Sequence, residues 1–197
     1  VQLFVPGDGE APFSISSSPT DEGHFELCIR KVGKVTTAIH ELDIGDTIGV
    51  RGPFGQTCDI DSSEGNDLLF VAGGIGLAPL RSMIHYALAN RDWFGDLRVL
   101  YGCKEPSEIL FGDEIKEWEA REDIDFRMTV DEVPEDEEWD GNVGVITTLI
   151  PGLDLAPEQT YTVVCGPPVM FRFVQQELDE KGVPHDQTYL SLERRMH

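Results

Sequence analysis

Apolar positions along this chain follow two different patterns, and the change between them divides the sequence. Up to about residue 60 they come in short alternating stretches, "FSISSS" at 13–18, "FELCIRKV" at 25–32 and "TIGVRG" at 47–52. Turn formers separate them: Pro19-Thr20-Asp21-Glu22-Gly23, then Gly33, then Gly45-Asp46. Several short alternating strands at this spacing predict an antiparallel sheet or barrel. One helical turn is expected within this half, around "TTAIHEL" at 36–42.

Beyond a polar, glycine-bearing stretch, "DIDSSEGND" at 59–67, the texture changes. Solid apolar runs now alternate with helical spacing: "DLLFVAG" then "APLRSMIHYALAN", "LRVLYG" then "GDEIKEWEARE", "DFRMTVDE", and "YTVVCG" then "VMFRFVQQELDEKG". Buried strands alternating with helices of this length imply right-handed crossovers and a parallel sheet covered on both faces. The expected architecture is an antiparallel β barrel over residues 1–64, followed by a Rossmann-like, doubly wound α/β domain over residues 65–197. The acidic "DEVPEDEEWD" at 131–140 reads as a solvated loop.

Three constellations carry candidate chemistry. In "VAGGIGLAP", Gly73, Gly74, Ile75, Gly76, Ala78 and Pro79 lie between the first strand and first helix of the second half. Glycine there admits positive φ and lets backbone N–H groups approach a pyrophosphate at the helix N-terminus, while Pro79 suits a first-turn position whose N–H is unbonded anyway. A tight strand-to-helix turn also wants glycine for structural reasons alone. A P-loop is excluded for want of Gly-Lys-[Ser/Thr]. In "VVCGPPVM", Cys165, Gly166, Pro167, Pro168 and Met170 end a strand. Ligands of open α/β sheets lie across the carboxyl ends of the strands, so this turn would face the same crevice as the glycines. The plain alternative is a small core cysteine followed by a strand terminator.

The third constellation lies in the first half. Phe13 with Ser14, Ile15 and Ser16 offers a ring for stacking and hydroxyls for the edge of a flat heterocycle. Gly33 with Thr36 and Thr37, opening the helical turn, offers donors to a phosphate. Seen singly, these are a serine-rich edge strand and an ordinary capped turn.

Charge and cysteine count narrow the class. Fifteen Lys and Arg face 37 Asp and Glu, a formal charge of -22. Such acidity repels nucleic acid and anionic membrane surfaces. Cys28, Cys58, Cys103 and Cys165 form no C-x-x-C pair and no metal-ligand spacing, so reduced thiols in a cytoplasmic protein are expected and no metal site within the chain. No run reaches the length of a membrane span.

Together the patterns resemble the ferredoxin–NADP reductase superfamily, in which a flavin-binding barrel precedes a nicotinamide-binding α/β domain. The resemblance covers essentially the whole chain in the family's order. The motifs G-x-[VI]-[ST], G-G-x-G-x-[AT]-P and C-G-[PS]-x-x-[ML] match at 33–36, 73–79 and 165–170, and R-x-[YF]-[ST] is met at Phe13 and Ser14 of 11–14 but not at its first position. It implies that Phe13, Ser14, Ile15 and Ser16 hold the isoalloxazine of FAD, and that Gly33, Val35, Thr36 and Thr37 hold its pyrophosphate. Gly73 to Pro79 would hold the pyrophosphate of NAD or NADP, and Cys165 to Met170 the nicotinamide end. Ala11 stands where the family has arginine. The phosphate-neutralising cation must then come from elsewhere, Arg30 and Lys31 being candidates. The family's first barrel strands would precede Val1.

The ending "YLSLERRMH" resembles the segment before the cysteine-rich loop of dihydroorotate dehydrogenase electron-transfer subunits, sulfhydrogenase gamma subunits and the corresponding subunits of anaerobic sulfite reductases. A 2Fe-2S cluster is therefore expected beyond His197. The resemblance implies a flavoprotein subunit that takes hydride from NAD(P)H onto FAD. It would pass electrons to an iron–sulfur cluster and a partner subunit of a hydrogenase, sulfite reductase or related complex. Cys165 beside the nicotinamide, and Ser16 or Glu193 near the flavin, would assist, with Glu193 to His197 expected near the isoalloxazine. After the second strand of the α/β half, Gly102 opens a turn. Lys104 there suits a 2′-phosphate and Glu105 a free 2′-hydroxyl, leaving NADH and NADPH both open. Two other readings stand beside this one. A single-cofactor dehydrogenase would leave the barrel motifs unexplained, and a non-catalytic nucleotide-binding docking subunit would share the fold without flavin.

Overall fold

The computed structural model describes residues 1–55 and 60–192. In the first half, β1 (Gln2–Val5), β2 (Gly9–Pro12) and β3 (Gly49–Arg51) form an antiparallel sheet of order β2-β1-β3. Leu3 and Val5 face inward from β1. The expected helical turn is α1 (Lys34–His40), beginning two residues earlier than the apolar spacing suggested. Thr36 sets that start: its Oγ1 accepts from the amides of Val32 and Gly33 at 2.9 and 2.8 Å and donates to the Gly33 carbonyl.

The segments 13–18 and 25–32 are extended, as their alternation predicts, but they form no strand ladder. The groups that would extend pairing have other partners. The Ser16 amide does donate to the Glu26 carbonyl at 2.9 Å. The Glu26 amide, however, donates to Ser17 Oγ at 3.1 Å, and the Ser16 carbonyl accepts from Arg81 Nη1 at 3.0 Å. Side chains thus take up bonds that a neighbouring strand would otherwise make.

The second half is a six-stranded, all-parallel sheet of order β7-β6-β5-β4-β8-β9. Its strands are β4 (Asp67–Gly73), β5 (Leu97–Cys103), β6 (Asp125–Val130), β7 (Asn142–Val143), β8 (Thr160–Gly166) and β9 (Thr188–Leu192). Its helices are α2 (Leu77–Ala89), α3 (Gly112–Glu119) and α4 (Pro168–Lys181). Period-two alternation sorts each strand onto two cores. Leu68, Phe70, Ala72, Val99, Tyr101 and Val163 pack with Leu77, Leu80, Ile84 and Ala87 of α2 and with Trp118 of α3. Leu69, Val71, Leu100 and Val164 pack with Phe171, Val174 and Leu178 of α4 on the other face. Truncating one of these, such as Leu80, to alanine should cost about 2–5 kcal/mol. The short β7 and the edge strand β9 carry too little apolar pattern to be read from sequence.

The chain winds β4, β5, β6, β7 in one direction, then returns to place β8 on the other side of β4. The switch point therefore lies between the carboxyl ends of β4 and β8, where such sheets place their ligands.

Candidate functional site

At that switch point the glycine turn and the second turn meet. Backbone closeness there is extreme: a Cβ on Gly76 would fall on the Cys165 carbonyl, 2.6 Å from its carbon and 2.9 Å from the Gly166 nitrogen. Gly76 thus lets the first turn of α2 rest directly on the end of β8. Gly74 has a different reason for being glycine. Its φ is +55°, in the left-handed region, and nothing lies within 4 Å of where a side chain would start. The turn so formed presents the amino end of α2 to open space, with Pro79 in the first turn as expected.

That space is a cleft of about 650 Å³. Gly73, Gly74 and Ile75 form one wall, and Gly166, Pro167, Pro168 and Met170 the facing wall. Gly102, Cys103 and Lys104 at the end of β5 continue it, with Asp131 and Glu108 beside them. Arg30, from the first half of the chain, completes the lining and lies 3.4 Å from Glu108. The rim is acidic. Lys104 Nζ lies 3.1 Å from Glu132 and 3.8 Å from Glu105, and its hydrogen bond to Glu132 raises its pKa. Burial, then the neighbouring Glu132, pushes the Asp131 carboxyl upward. Burial, with the carboxylates of Glu108 and Asp131, pushes the Cys103 thiol up to about 11, so it is no nucleophile at neutral pH.

Two residues expected to assist chemistry are placed otherwise. Cys165 is fully buried in the core on the α2 face of the sheet, because β8 alternates and its odd positions turn away from α4. The cleft wall begins one residue later, at Gly166. Ser16 is 1% exposed, with its amide and carbonyl both bonded. The accessible part of its segment is Phe13, Ser14 and Ile15, where the Ser14 hydroxyl has no partner among the described residues. Arg30 stands on the cleft wall rather than at the α1 turn, while Lys31 is exposed two residues before Gly33. Arg51 is bound at 2.7 Å to Glu10, the residue before Ala11. Glu193 and the segment 193–197 lie outside the described residues, as does Cys58; Cys28, Cys103 and Cys165 form no disulfide among the described residues.

The sequence reading passed over Arg81. This α2 residue is buried, and its guanidinium bonds Glu114 of α3, Glu26 and the Ser16 carbonyl. The signal was present: Arg81 falls within the stripe of Leu77, Leu80, Ile84 and Ala87, where only apolar residues are expected. Burial alone would raise the Glu114 carboxyl, but hydrogen bonds from Arg81 and His85 outweigh it and hold the group below the ordinary carboxylate range.

Comparison with known proteins agrees with this geometry. Residues 1–58 match the oxidoreductase FAD-binding domain family and residues 70–176 the oxidoreductase NAD-binding domain family. The chain is 40% identical to sulfhydrogenase 1 subunit gamma of Pyrococcus furiosus, over all of this chain and 67% of that protein. It is 33% identical to a probable dihydroorotate dehydrogenase B (NAD(+)) electron transfer subunit of Methanothermobacter thermautotrophicus, over 95% of this chain and 63% of that one. Among solved structures, a ferredoxin NADP+ reductase from Neisseria gonorrhoeae with bound FAD and NADP superposes at a TM-score of 0.76 and 22% identity, covering 96% of this chain and 83% of that one. No helix among the described residues is long and apolar enough to cross a membrane.

Proposed function

The chain belongs to the FAD- and NAD-binding oxidoreductases of the ferredoxin reductase type, and from that premise we propose that it is the NAD(P)H-oxidising flavoprotein subunit of a larger redox complex. The observation that carries the reading is the shared cleft: Arg30 of the FAD-binding half lines the same space as the glycine turn and the 166–170 turn of the NAD-binding half. A nucleotide held there meets both halves of the chain.

The donor set fits both groups. Phe13 supplies a half-exposed ring, and Ser14 an exposed hydroxyl on an extended backbone, the partners that the face and edge of a flavin require. The turn at 33–37 would take the FAD pyrophosphate. The 73–79 turn would take that of NAD(P)H, with Gly166, Pro167, Pro168 and Met170 against the nicotinamide. When bound, the two cofactors supply hydride transfer to flavin and its onward release as single electrons. The protein contributes position and dryness. The close β4–β8 contact sets the cleft floor, Pro167 and Met170 wall it, and no side chain has to move a proton. We assign residues 1–64 to the flavin side and 65–197 to the nucleotide side.

The onward acceptor is proposed from the relatives. Two sulfhydrogenase gamma subunits of Pyrococcus furiosus and the dihydroorotate dehydrogenase electron transfer subunit are, by name, parts of larger enzymes. A 2Fe-2S cluster beyond His197 and a partner subunit of hydrogenase, sulfite reductase or related type complete the path, in the cytoplasm. Among the described residues no group of three or more His, Cys, Asp or Glu is placed for a metal ion. The test is the visible spectrum of the full-length protein. A yellow chromophore bleached by NADH or NADPH supports the proposal, and a colourless protein that binds nucleotide supports the docking-subunit reading instead.

A further inference from the structure

We propose that Arg81 is a positioning residue for hydride transfer, fixing the flavin-side segment against the nucleotide-binding turn through the Ser16 carbonyl and the Glu26 carboxylate. The inference rests on the functional reading above for what the two sides bind; the bridge itself rests on geometry.

Arg81 is the fifth residue of α2, the helix whose first turn rests on β8 through Gly76. It therefore moves with the glycine turn. Its side chain is 10% exposed, and its donors are committed in two directions. Nε lies 3.0 and 2.8 Å from the two Glu114 oxygens, and Nη2 lies 2.5 Å from Oε1 of the same carboxylate. These bonds fasten it to α3, within its own half. Nη1 points the other way, 3.0 Å from the Ser16 carbonyl and 2.6 Å from Glu26 Oε2. Residues 16 and 26 are already joined by the bond from the Ser16 amide to the Glu26 carbonyl. One guanidinium thus grips both arms of the extended pair, immediately after the Phe13, Ser14 and Ile15 surface. The ring of Phe111 completes the seat, its centroid 4.7 Å from the guanidinium carbon. Phe111 holds a left-handed φ of 54° to stand there, a conformation that a bulky residue rarely adopts.

A merely stabilising contact needs none of this directionality. A buried charge gains little net stability over an apolar side chain of equal volume, whereas its fixed donors specify one arrangement of the groups around it. The planar fork is essential to that role. Lysine would keep the charge but could not bond α3 and the Ser16 carbonyl together in one plane.

The test uses the full-length flavoprotein with Arg81→Met, Arg81→Lys and Glu26→Gln. It reads flavin content, NADH affinity, the first-order rate constant of flavin reduction, and amide exchange at Ser16, Ser17 and Ser18. In Arg81→Met, exchange should quicken and the reduction rate constant should fall about 10- to 100-fold, with NADH affinity kept within about twofold, because misplacement of order 1 Å acts on the reaction and not on binding. Arg81→Lys should recover part of the rate. An unchanged rate constant with unchanged exchange overturns the proposal, and so does a loss confined to NADH affinity or flavin content. If Arg81→Met does not fold, Glu26→Gln decides by the same two readouts, since it leaves the Arg81–Glu114 pair intact. A flavin-free unsubstituted protein refutes the functional reading and not the bridge. In that case exchange at Ser16, Ser17 and Ser18 decides alone, faster exchange supporting the bridge and unchanged exchange overturning it.

Discussion

Gly74 and Gly76 stand two residues apart in one turn, yet replacing each with alanine should produce different failures. At Gly76 a Cβ meets the Cys165 carbonyl group and lies 2.9 Å from the Gly166 nitrogen. These are backbone atoms of a central strand bonded to β4 on one side and β9 on the other, so they cannot step aside as a flexible side chain would. The amino end of α2 must lift instead, which opens the packing of Leu77 and Leu80 beneath it. Overpacking of this kind costs about 1–3 kcal/mol, and backbone-on-backbone contact places Gly76→Ala at the upper end. For a chain of this size that is a fall in Tm of roughly 6–12 °C. At Gly74 a Cβ meets nothing within 4 Å, and the only cost is the φ of +55°, about 1 kcal/mol or roughly 2–4 °C. That Cβ, however, enters the cleft where the nucleotide pyrophosphate would approach the backbone. Thermal unfolding followed by circular dichroism, paired with NADH titration, separates the two. Gly76→Ala should lose much stability, while Gly74→Ala should keep most of its stability and lose affinity. Equal Tm values for the two variants, or a Gly76→Ala protein as stable as the parent with affinity alone impaired, would refute the reasoning.

Phe13→Ala should weaken flavin retention by about 1 kcal/mol through loss of the stacking face, read as the flavin dissociation constant; unchanged retention counts against the site. Cleft charge should favour NADH over NADPH, because Lys104 is shared between Glu132 and Glu105 and Asp131 adds a further carboxyl to the rim. Lys104→Ala should leave the NADH affinity nearly unchanged, and a parent protein with higher kcat/KM for NADPH overturns this account. Glu114, whose pKa is lowered in the folded state, adds stability that is complete above the ordinary glutamate value of about 4.3 and is lost as pH falls through the folded value. The Tm of the parent should therefore drop more steeply below about pH 4.3 than that of Glu114→Gln, and parallel curves would remove the Arg81–Glu114 pair as its cause.

What the sequence made legible was whatever one segment states by itself. β4 and the helix after it are written locally, as an apolar run, a glycine turn and a stripe at helical spacing, and both stand where the pattern puts them. The glycine turn and the 166–170 turn each follow a strand of an open α/β sheet, whose ligands lie across the carboxyl ends of the strands, and the two turns form facing walls. The features that escaped depend on two segments meeting. Period-two alternation makes 13–18 and 25–32 extended, but it cannot say that Ser17 Oγ and Arg81 will take the bonds of a ladder. Nor can it orient Cys165: the alternation of β8 allows either face, and only the packing of α2 across Gly76 assigns the thiol to the core.

Arg81 joins these two kinds of information. Its position in an apolar stripe is a local fact, and a charge there must find partners or be expelled from the core. Its partners are Glu26 and Ser16, more than fifty residues earlier, and Glu114, more than thirty later. A charged residue at an apolar position of a helix that opens on a nucleotide turn therefore announces that another segment comes to meet it there. In this chain that segment is the one carrying Phe13 and Ser14. The same side chain that breaks the helix pattern thus ties the FAD-binding half of the chain to the NAD-binding half, and a sequence with leucine at 81 would keep the α/β core while losing the bonds that relate its cleft to the segments of Ser16 and Glu26.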